Sequence, residues 1–450
     1  MGEKAKVLLT SLGCDKNLVD SEMMLGILEE AGYAFTSDEA EAEAIIVNTC
    51  CFILDAKEES IDSLIRFGKL KKEGCCRALI ATGCLAQRYA DEIRKELPEV
   101  DAVVGTASFD HVAEVLDAVL SGKPKDSLED MSRPVYGKKR ILSTGGHYAH
   151  LKIAEGCDKN CSYCAIPAFR GHYRSVPMEI LLEEAGKLVE GGVRELILVA
   201  QETTRYGVDL YGKKSLSLLL RKLCEIEELK WIRILYCYPE EIDDELIETI
   251  ASEEKICHYL DLPIQHCEDR ILALMGRRTR KEELCATLKK LRERIPDICI
   301  RTTLIAGFPG ETLKEHEALL EFVRSQRFDR LGVFAYSPEE GTKAAEMDGQ
   351  LEEEEKQRRA DALMEAQQQI AFEMARERIG STPECIVEGR IPEEDVLVLR
   401  SFRDAPEVDG YVFVDTPREL MSGTVLKVRI TGCEEYDLIG ELAENHESAE

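Results

Sequence analysis

Short apolar runs alternate with longer amphipathic stretches through the first part of the chain. Lys6 to Thr10, Ala44 to Asn48 and Ala78 to Ala81 read as strands, while Ser21 to Ala31 and Ala56 to Leu70 carry apolar residues at helical spacing. Strand–helix alternation predicts a parallel sheet with helices on both faces. A polar stretch rich in Gly, Lys, Ser and Pro, roughly Ser121 to Gly146, interrupts the pattern. The alternation then resumes, with strands expected at His150 to Ala154, Glu195 to Ala200, Trp231 to Tyr236, Tyr259 to Ile264, Cys299 to Ala306 and Leu331 to Tyr336. Parallel units in that number predict an open, incomplete barrel, with its chemistry at the C-terminal ends of the strands. Leu351 to Ile379 reads as one long charged helix that Gly380 stops. Beyond it, short alternating runs from Pro383 to Leu442 predict a small antiparallel β-barrel. The expected organisation is an α/β domain over residues 1–125, a linker over 126–146, a barrel over 147–372, a small β-barrel over 373–443 and an acidic tail over 444–450.

Composition narrows the class. At 450 residues the chain exceeds one ordinary core, and 44% hydrophobic with 32% charged residues is the balance of a soluble globular protein. No apolar run approaches the roughly 20 residues that span a bilayer. The start, Met1-Gly2-Glu3-Lys4, runs straight into a strand-like segment with no secretory apolar region, so a cytoplasmic chain without a membrane partner is expected. In that reducing compartment the 17 cysteines are free thiols, open to metal or catalysis. Cys224, Cys237, Cys257, Cys285, Cys299, Cys385 and Cys433 stand singly in apolar segments and are expected in cores. A net charge of -29 works against nonspecific attraction to a phosphate backbone and suits a basic partner.

Two sets of cysteines carry the candidate chemistry. In Glu155-Gly156-Cys157-Asp158-Lys159-Asn160-Cys161-Ser162-Tyr163-Cys164 one short loop supplies three thiolates and no fourth. A structural zinc site demands four ligands, whereas a cubane iron–sulfur cluster on three cysteines leaves one iron open to a small molecule. The bland alternatives are a zinc knuckle or chance in a cysteine-rich chain. Cys14, Cys50 and Cys84 each follow a strand, in Leu12-Gly13-Cys14, Asn48-Thr49-Cys50 and Thr82-Gly83-Cys84. Ligands of parallel sheets sit beyond those strand ends, so three sequence-distant thiolates are placed to converge. The alternative is three unrelated buried cysteines. Cys51 would point away from Cys50, and Cys75 and Cys76 precede their strand. Glu202, Gln265, Gly307 and Tyr336, at later strand ends, are expected to face the same mouth as the cysteine loop.

With Tyr163 before its last cysteine, the loop resembles the signature of the radical S-adenosylmethionine (SAM) enzymes, in which SAM chelates the open iron. Together with Cys14, Cys50, Cys84 and the terminal small barrel, it makes almost the whole chain similar to the methylthiotransferases. The resemblance implies a flavodoxin-like first domain holding a second 4Fe-4S cluster on Cys14, Cys50 and Cys84. It implies an incomplete (β/α)6 TIM-like radical SAM barrel whose cluster sits on Cys157, Cys161 and Cys164, and an OB-like TRAM domain that binds substrate. It also implies a SAM site lined by Tyr163, Gln201, Glu202, Gln265, Gly307 and Glu311. Ala200-Gln201-Glu202 lies where the family contacts the methionine amino group, and Ile305-Ala306-Gly307-Phe308-Pro309-Gly310-Glu311 is similar to the strand end that packs on adenine. Taken alone, Gly307 and Gly310 mark a tight turn. Cys267 and Glu268 stand where the family's Pro-Ile-Gln-His segment is followed by small residues, so a structural role is expected for His266.

The family has two main branches, one acting on an adenosine of tRNA (the MiaB type) and one on an aspartate of a ribosomal protein (the RimO type). Ala200 to Tyr211, Cys50 to Ser60 and Ala405 to Gly410 are similar to the second. From Pro383 onward 17 Asp or Glu oppose six Lys or Arg, a balance that repels tRNA phosphates and suits a basic ribosomal protein. The resemblance thus implies replacement of a C–H bond at the aspartate β-carbon of small-subunit protein uS12 by C–S–CH3. No side-chain acid–base pair removes that hydrogen, so a SAM-derived 5′-deoxyadenosyl radical is implied, with a reductant such as flavodoxin and no nucleic-acid substrate. A noncatalytic iron–sulfur sensor or electron carrier on the same fold is the alternative of a different class.

Overall fold

The structure, a computed structural model, describes residues 4–443, and the expected acidic tail over 444–450 lies outside the described residues. Within them, Ala34–Phe35, Lys6–Ser11, Ala44–Thr49, Ala78–Thr82 and Ala102–Val104 lie side by side, in that order, as an all-parallel sheet. Side chains alternate between the faces of a strand. Ala44, Ile46, Ala78 and Ile80 therefore pack under Met23, Met24 and Leu28 of the helix Asp15–Glu30 and Leu116 of Val112–Leu120. Ile45, Val47, Leu79 and Ala81 meet Leu64 and Phe67 of Leu54–Glu73 on the other face. Cover on both faces explains why these strands read as unbroken apolar runs.

The second sheet runs Tyr148–Lys152, Glu195–Val199, Trp231–Ile234, Ile256–Asp261, Cys299–Ala306 and Arg330–Ala335, each parallel to the next and, among the described residues, unpaired between the last strand and the first. This is the open barrel expected from the sequence. Leu196, Leu198, Ile232, Ile234, Leu260, Ile300 and Leu304 point outward under the helices. Ile197, Val199, Trp231, Cys257, Tyr259 and Cys299 form a separate inner cluster. Two strands end earlier than their apolar runs. Pro263 has no N–H for the ladder, so its strand stops at Asp261. Tyr236 adopts φ 60°, which takes Tyr236 out of the strand ending at Ile234.

The helix Glu353–Glu377 buries Arg359, Leu363, Gln367 and Ile370, one stripe at helical spacing. It leads into a closed barrel of Glu384–Arg390, Val396–Ser401, Val412–Asp415, Val425–Glu434 and Asp437–Leu442 around Cys385, Val387, Leu397, Leu399, Val428 and Ile430. Its pairings are antiparallel except that between Val412–Asp415 and Asp437–Leu442. This small barrel plugs the N-terminal end of the large one. Ile386 and Ala405 join the inner cluster, Tyr148 donates to Glu407 at 2.8 Å and Tyr259 to Asp409 at 2.7 Å. The polar stretch after the first domain is pinned as well. Arg133 donates two hydrogen bonds of 2.7 Å to Asp110, and buried Arg140 bridges Glu22 and Glu184. Among the described residues no helix is long and apolar enough to cross a membrane.

Candidate active site

The loop after the first barrel strand holds Cys157 and Cys161 buried and Cys164 half-buried. Each thiol acts electrostatically on its neighbours, and burial pushes Cys157 up to about 11 and Cys164 up to about 12. Neutral thiols in so dry a place give up their protons to a bound cation rather than to water. Donors already face the sulfurs: the Lys159 N–H lies 3.4 Å from Cys157 Sγ, and the Tyr238 hydroxyl 3.4 Å from Cys161 Sγ. Beside the loop opens a cavity of about 420 Å³, lined among others by Lys159, Cys161, Arg205, Tyr238 and Arg277.

The expected strand-end residues gather round this loop by two routes. Glu202 is wholly buried with both carboxylate oxygens lacking a hydrogen-bond donor, and Gln201 Oε1 is also unpartnered. Burial, opposed by Lys159 Nζ at 3.6 Å, pushes Glu202 up to about 7. Orphaned acceptors at a strand end are what an ammonium group satisfies. On the other side Tyr163 packs with Phe308 and Tyr336, whose rings meet edge to face at 5.4 Å. Gln265, at φ 70°, continues the sheet by bridging to Leu304. Glu311 turns inward: its carboxylate accepts from the Gly307 N–H at 2.6 Å and the Phe308 N–H at 3.1 Å, with Arg359 at 3.1 Å. It braces the turn rather than projecting from it. His266 is buried, its Nδ1 accepting from the Glu268 N–H at 3.0 Å.

Cys14, Cys50 and Cys84 also come together. A β-carbon on Gly13 would stand 2.7 Å from Cys50 Sγ, so only glycine lets the two loops approach this closely. Cys50 and Cys84 both feel the charge of Cys14, and burial pushes the Cys84 thiol up. Arg170 Nε donates to Cys84 Sγ at 3.2 Å. Cys51 lies in the core beneath, while Cys75 bonds to the Ala40 carbonyl, away from this group. Among the described residues no three His, Cys, Asp or Glu side chains stand as a ready cage for a metal ion. The donor sets are all thiol, partly wrapped in N–H and O–H donors to sulfur, which is the environment that tunes iron–sulfur clusters.

Sequence reasoning missed what joins the two sets. Arg170 is buried and pairs with Asp20 at 2.8 Å and Glu155 at 2.9 Å, besides Asn17. Lys152 pairs with the same two carboxylates, and Gln201 Nε2 donates to Glu155 at 2.6 Å. A hydrogen-bonded chain thus runs from Cys84 to the strand end that carries Glu202. The helix after Cys14 adds Asp15, held by the Tyr236 hydroxyl at 3.0 Å, and Lys16, whose Nζ lies 3.4 Å from the centre of the Tyr236 ring. A charged residue inside an apolar strand, Lys152, was the available signal.

The chain matches three family descriptions in sequence: the uncharacterized protein family UPF0004 over residues 6–105, the radical SAM superfamily over 151–323 and the TRAM domain over 379–443. Among solved structures it resembles the radical SAM methyltransferase TsrM from Kitasatospora setae, with a TM-score of 0.54 at 14% identity over 93% of this chain and 82% of that one. It also resembles the cobalamin-dependent SAM radical enzyme OxsB, with a TM-score of 0.51 at 11% identity over 81% and 56%. Likeness at such identities speaks for the fold alone. Sequence relatives are far nearer. The ribosomal protein uS12 methylthiotransferase RimO of Lachnoclostridium phytofermentans is 58% identical over 97% of this chain and 99% of its own. That of Clostridioides difficile is 47% identical over 97% and 98%. Identity of that order from end to end, on a fold that brings both cysteine sets to one side of an open barrel, makes this chain a member of the RimO family of radical SAM methylthiotransferases.

Proposed function

We propose that this protein inserts a methylthio group at the β-carbon of an aspartate of ribosomal protein uS12, working in the cytoplasm with electrons from a small reductant such as flavodoxin. The observation that carries the reading is the pair of buried three-thiol sets, joined through Arg170, Asp20, Glu155 and Gln201 on one side of the barrel. Cys157, Cys161 and Cys164 are the ligands of one 4Fe-4S cluster, and Cys14, Cys50 and Cys84 those of a second. When bound, the clusters and SAM supply the radical and sulfur chemistry that opens an unactivated C–H bond, which side chains alone do not. The protein's own residues do the rest. Glu202 and Gln201 offer unpartnered acceptors to the SAM ammonium group, and Tyr163, packed with Phe308 and Tyr336, and Gln265, bridged to Leu304, belong to the same SAM site. Glu311 is a positioning residue that fixes the Gly307 turn against which the adenine packs. Arg170 donates to a cysteine sulfur, neutralising charge where a thiolate set gathers it.

The acidic small barrel favours a basic protein over tRNA, because it repels phosphates. The test uses anaerobically reconstituted enzyme with SAM, a strong reductant and sulfide, offered uS12 and bulk tRNA in parallel and read by mass spectrometry. A methylthio-aspartate in uS12 is expected. Methylthioadenosine in tRNA instead would overturn the substrate assignment. Cys161→Ala should abolish 5′-deoxyadenosine formation, and Cys50→Ala should keep it while yielding no methylthio product. Product from the Cys50 variant would remove the second set from the reaction.

A further inference from the structure

Two cations beside Tyr236 make no hydrogen bond to a carboxylate among the described residues. Lys16 is 6% exposed, yet no carboxylate lies within ion-pair distance of it among the described residues, and its Nζ rests on the Tyr236 ring instead. Arg301 projects inward from Cys299–Ala306, and its nearest carboxylate oxygen, Asp261 Oδ1, is 3.7 Å away, beyond hydrogen-bond reach. Asp261 Oδ1 is itself buried without a donor. Tyr236 keeps the neighbouring carboxylates occupied elsewhere. Its hydroxyl holds Asp15 Oδ2 and its N–H holds Asp261 Oδ2, both at 3.0 Å. Lys16 and Arg301 both act on Asp15 and on Asp261, so the two cations share one neighbourhood. Tyr236 sits there at φ 60°, a strained conformation for a tyrosine that its surroundings must enforce. Cations held this close to carboxylates they do not hydrogen-bond leave donors free for a ligand's negative charge.

Arg301 is reached from outside. A cavity of about 490 Å³ follows the unpaired edge strand and is lined among others by Arg301, Leu331, Gly332, Val408, Gly410 and Tyr411. No atom stands within 4 Å of the place a β-carbon on Gly332 would take, and Phe334 on the same strand is 48% exposed. The cavity reaches Arg301, while Lys16, two residues from Cys14, lies beyond its lining.

We infer that Lys16 and Arg301 form the receptor for the carboxylate of the substrate side chain and so set the enzyme's specificity for an acidic residue. The inference rests on the proposed modification of uS12. Two charge-assisted contacts fix a carboxylate in orientation as well as place, leaving the adjacent β-carbon as the atom held between the cysteine sets. A neutral side chain of the same shape forgoes both charge-assisted contacts, and a site built to hydrogen-bond a charged group rejects such an analogue.

The test measures binding of reconstituted holoenzyme with SAM to uS12 and to uS12 whose target aspartate is replaced by asparagine. Wild-type enzyme should prefer aspartate by roughly 10- to 100-fold, the range of hydrogen bonds to charged groups. Arg301→Gln and Lys16→Met should each shrink that preference to within a few-fold, and Lys16→Arg should restore much of it. Iron content and circular dichroism matching wild type show that each variant is folded and loaded. An undiminished preference in both neutral variants would overturn the receptor while leaving uS12 modification standing. If wild-type enzyme methylthiolates no aspartate of uS12, the functional reading fails and the receptor falls with it.

Discussion

At the scale of single residues, buried polar groups separate into those the fold has satisfied and those it has left open. His266 is satisfied at Nδ1 only, its Nε2 being buried without a partner. Its Nδ1 accepts from the Glu268 N–H, so that nitrogen must stay unprotonated, and burial, ahead of the opposing pull of Glu311, holds its pKa at about 4. An unfolded histidine takes up its proton near pH 6.5, as ordinary imidazole does. Between those values the unfolded chain binds more protons, so stability present at higher pH is lost as pH falls through the window, at up to about 1.4 kcal/mol per unit. His266→Asn, which keeps an acceptor but cannot titrate, should flatten that dependence, as urea midpoints across the window would report. An equally steep curve in the variant would assign the acid sensitivity to other groups. Glu202 belongs to the second kind, and together with Lys16 and Arg301 it explains what was legible in the sequence. The cysteine loop is legible because its spacing is local. Lys16 beside Cys14 and Arg301 in a strand read as ordinary charged positions, since only closure of the barrel around Tyr236 brings them together.

At the scale of elements, apolar periodicity located the barrel strands, because all but the edge strand Arg330–Ala335 are largely buried on both faces. The strand ends were less legible, since they are set by single residues such as Pro263 and Tyr236 rather than by periodicity. The turn after Cys299–Ala306 shows how tightly such an end is specified. Gly307 has φ 72°, and a β-carbon there would lie 2.7 Å from Lys356 Cγ and 2.9 Å from Lys356 Cα, on the backbone of the long helix. Gly310 has a similar φ of 79°, but its nearest neighbour would be Arg270 Nη1 at 3.9 Å. The pair therefore separates backbone strain from steric clash. Gly310→Ala should cost about 1 to 2 kcal/mol for its left-handed conformation. Gly307→Ala should cost about 2 to 4 kcal/mol, because overpacking adds to the same strain. It should also weaken SAM binding, since the turn and the Glu311 brace shift together. Equal losses in the two variants, measured by denaturant unfolding, would show that the long helix gives way without cost.

At the scale of the whole molecule, the small barrel is a stopper in the large one, and its seal is ionic. Glu195, at the start of its strand, is fully buried. It accepts from Arg233 Nε at 2.8 Å and from Arg400 Nη2 of the small barrel at 2.7 Å. Arg233 in turn donates to the Phe402 carbonyl at 2.7 Å, and Arg400 to the Asp404 carbonyl at 2.9 Å. Composition revealed the acidity of this region but not the seal, because two distant arginines and one glutamate carry no local signature. The arrangement is costly to assemble and costlier to break, since removing the shared carboxylate leaves the buried Arg233 guanidinium without its anion, while Arg400 keeps only Glu388. Glu195→Ala should lower stability by about 3 to 5 kcal/mol, the range found when one member of a buried ion pair is deleted. A double-mutant cycle with Arg400→Met should return a coupling energy within about 0.5 to 3 kcal/mol, because Glu195 and Arg400 are direct hydrogen-bonded partners. Since the stopper also presents Val408, Gly410 and Tyr411 to the cavity that reaches Arg301, loosening it should raise KM for uS12 more than it lowers kcat. Additive stability losses with an unchanged KM would mean that the two barrels are held by their apolar contacts alone and that substrate is gripped elsewhere.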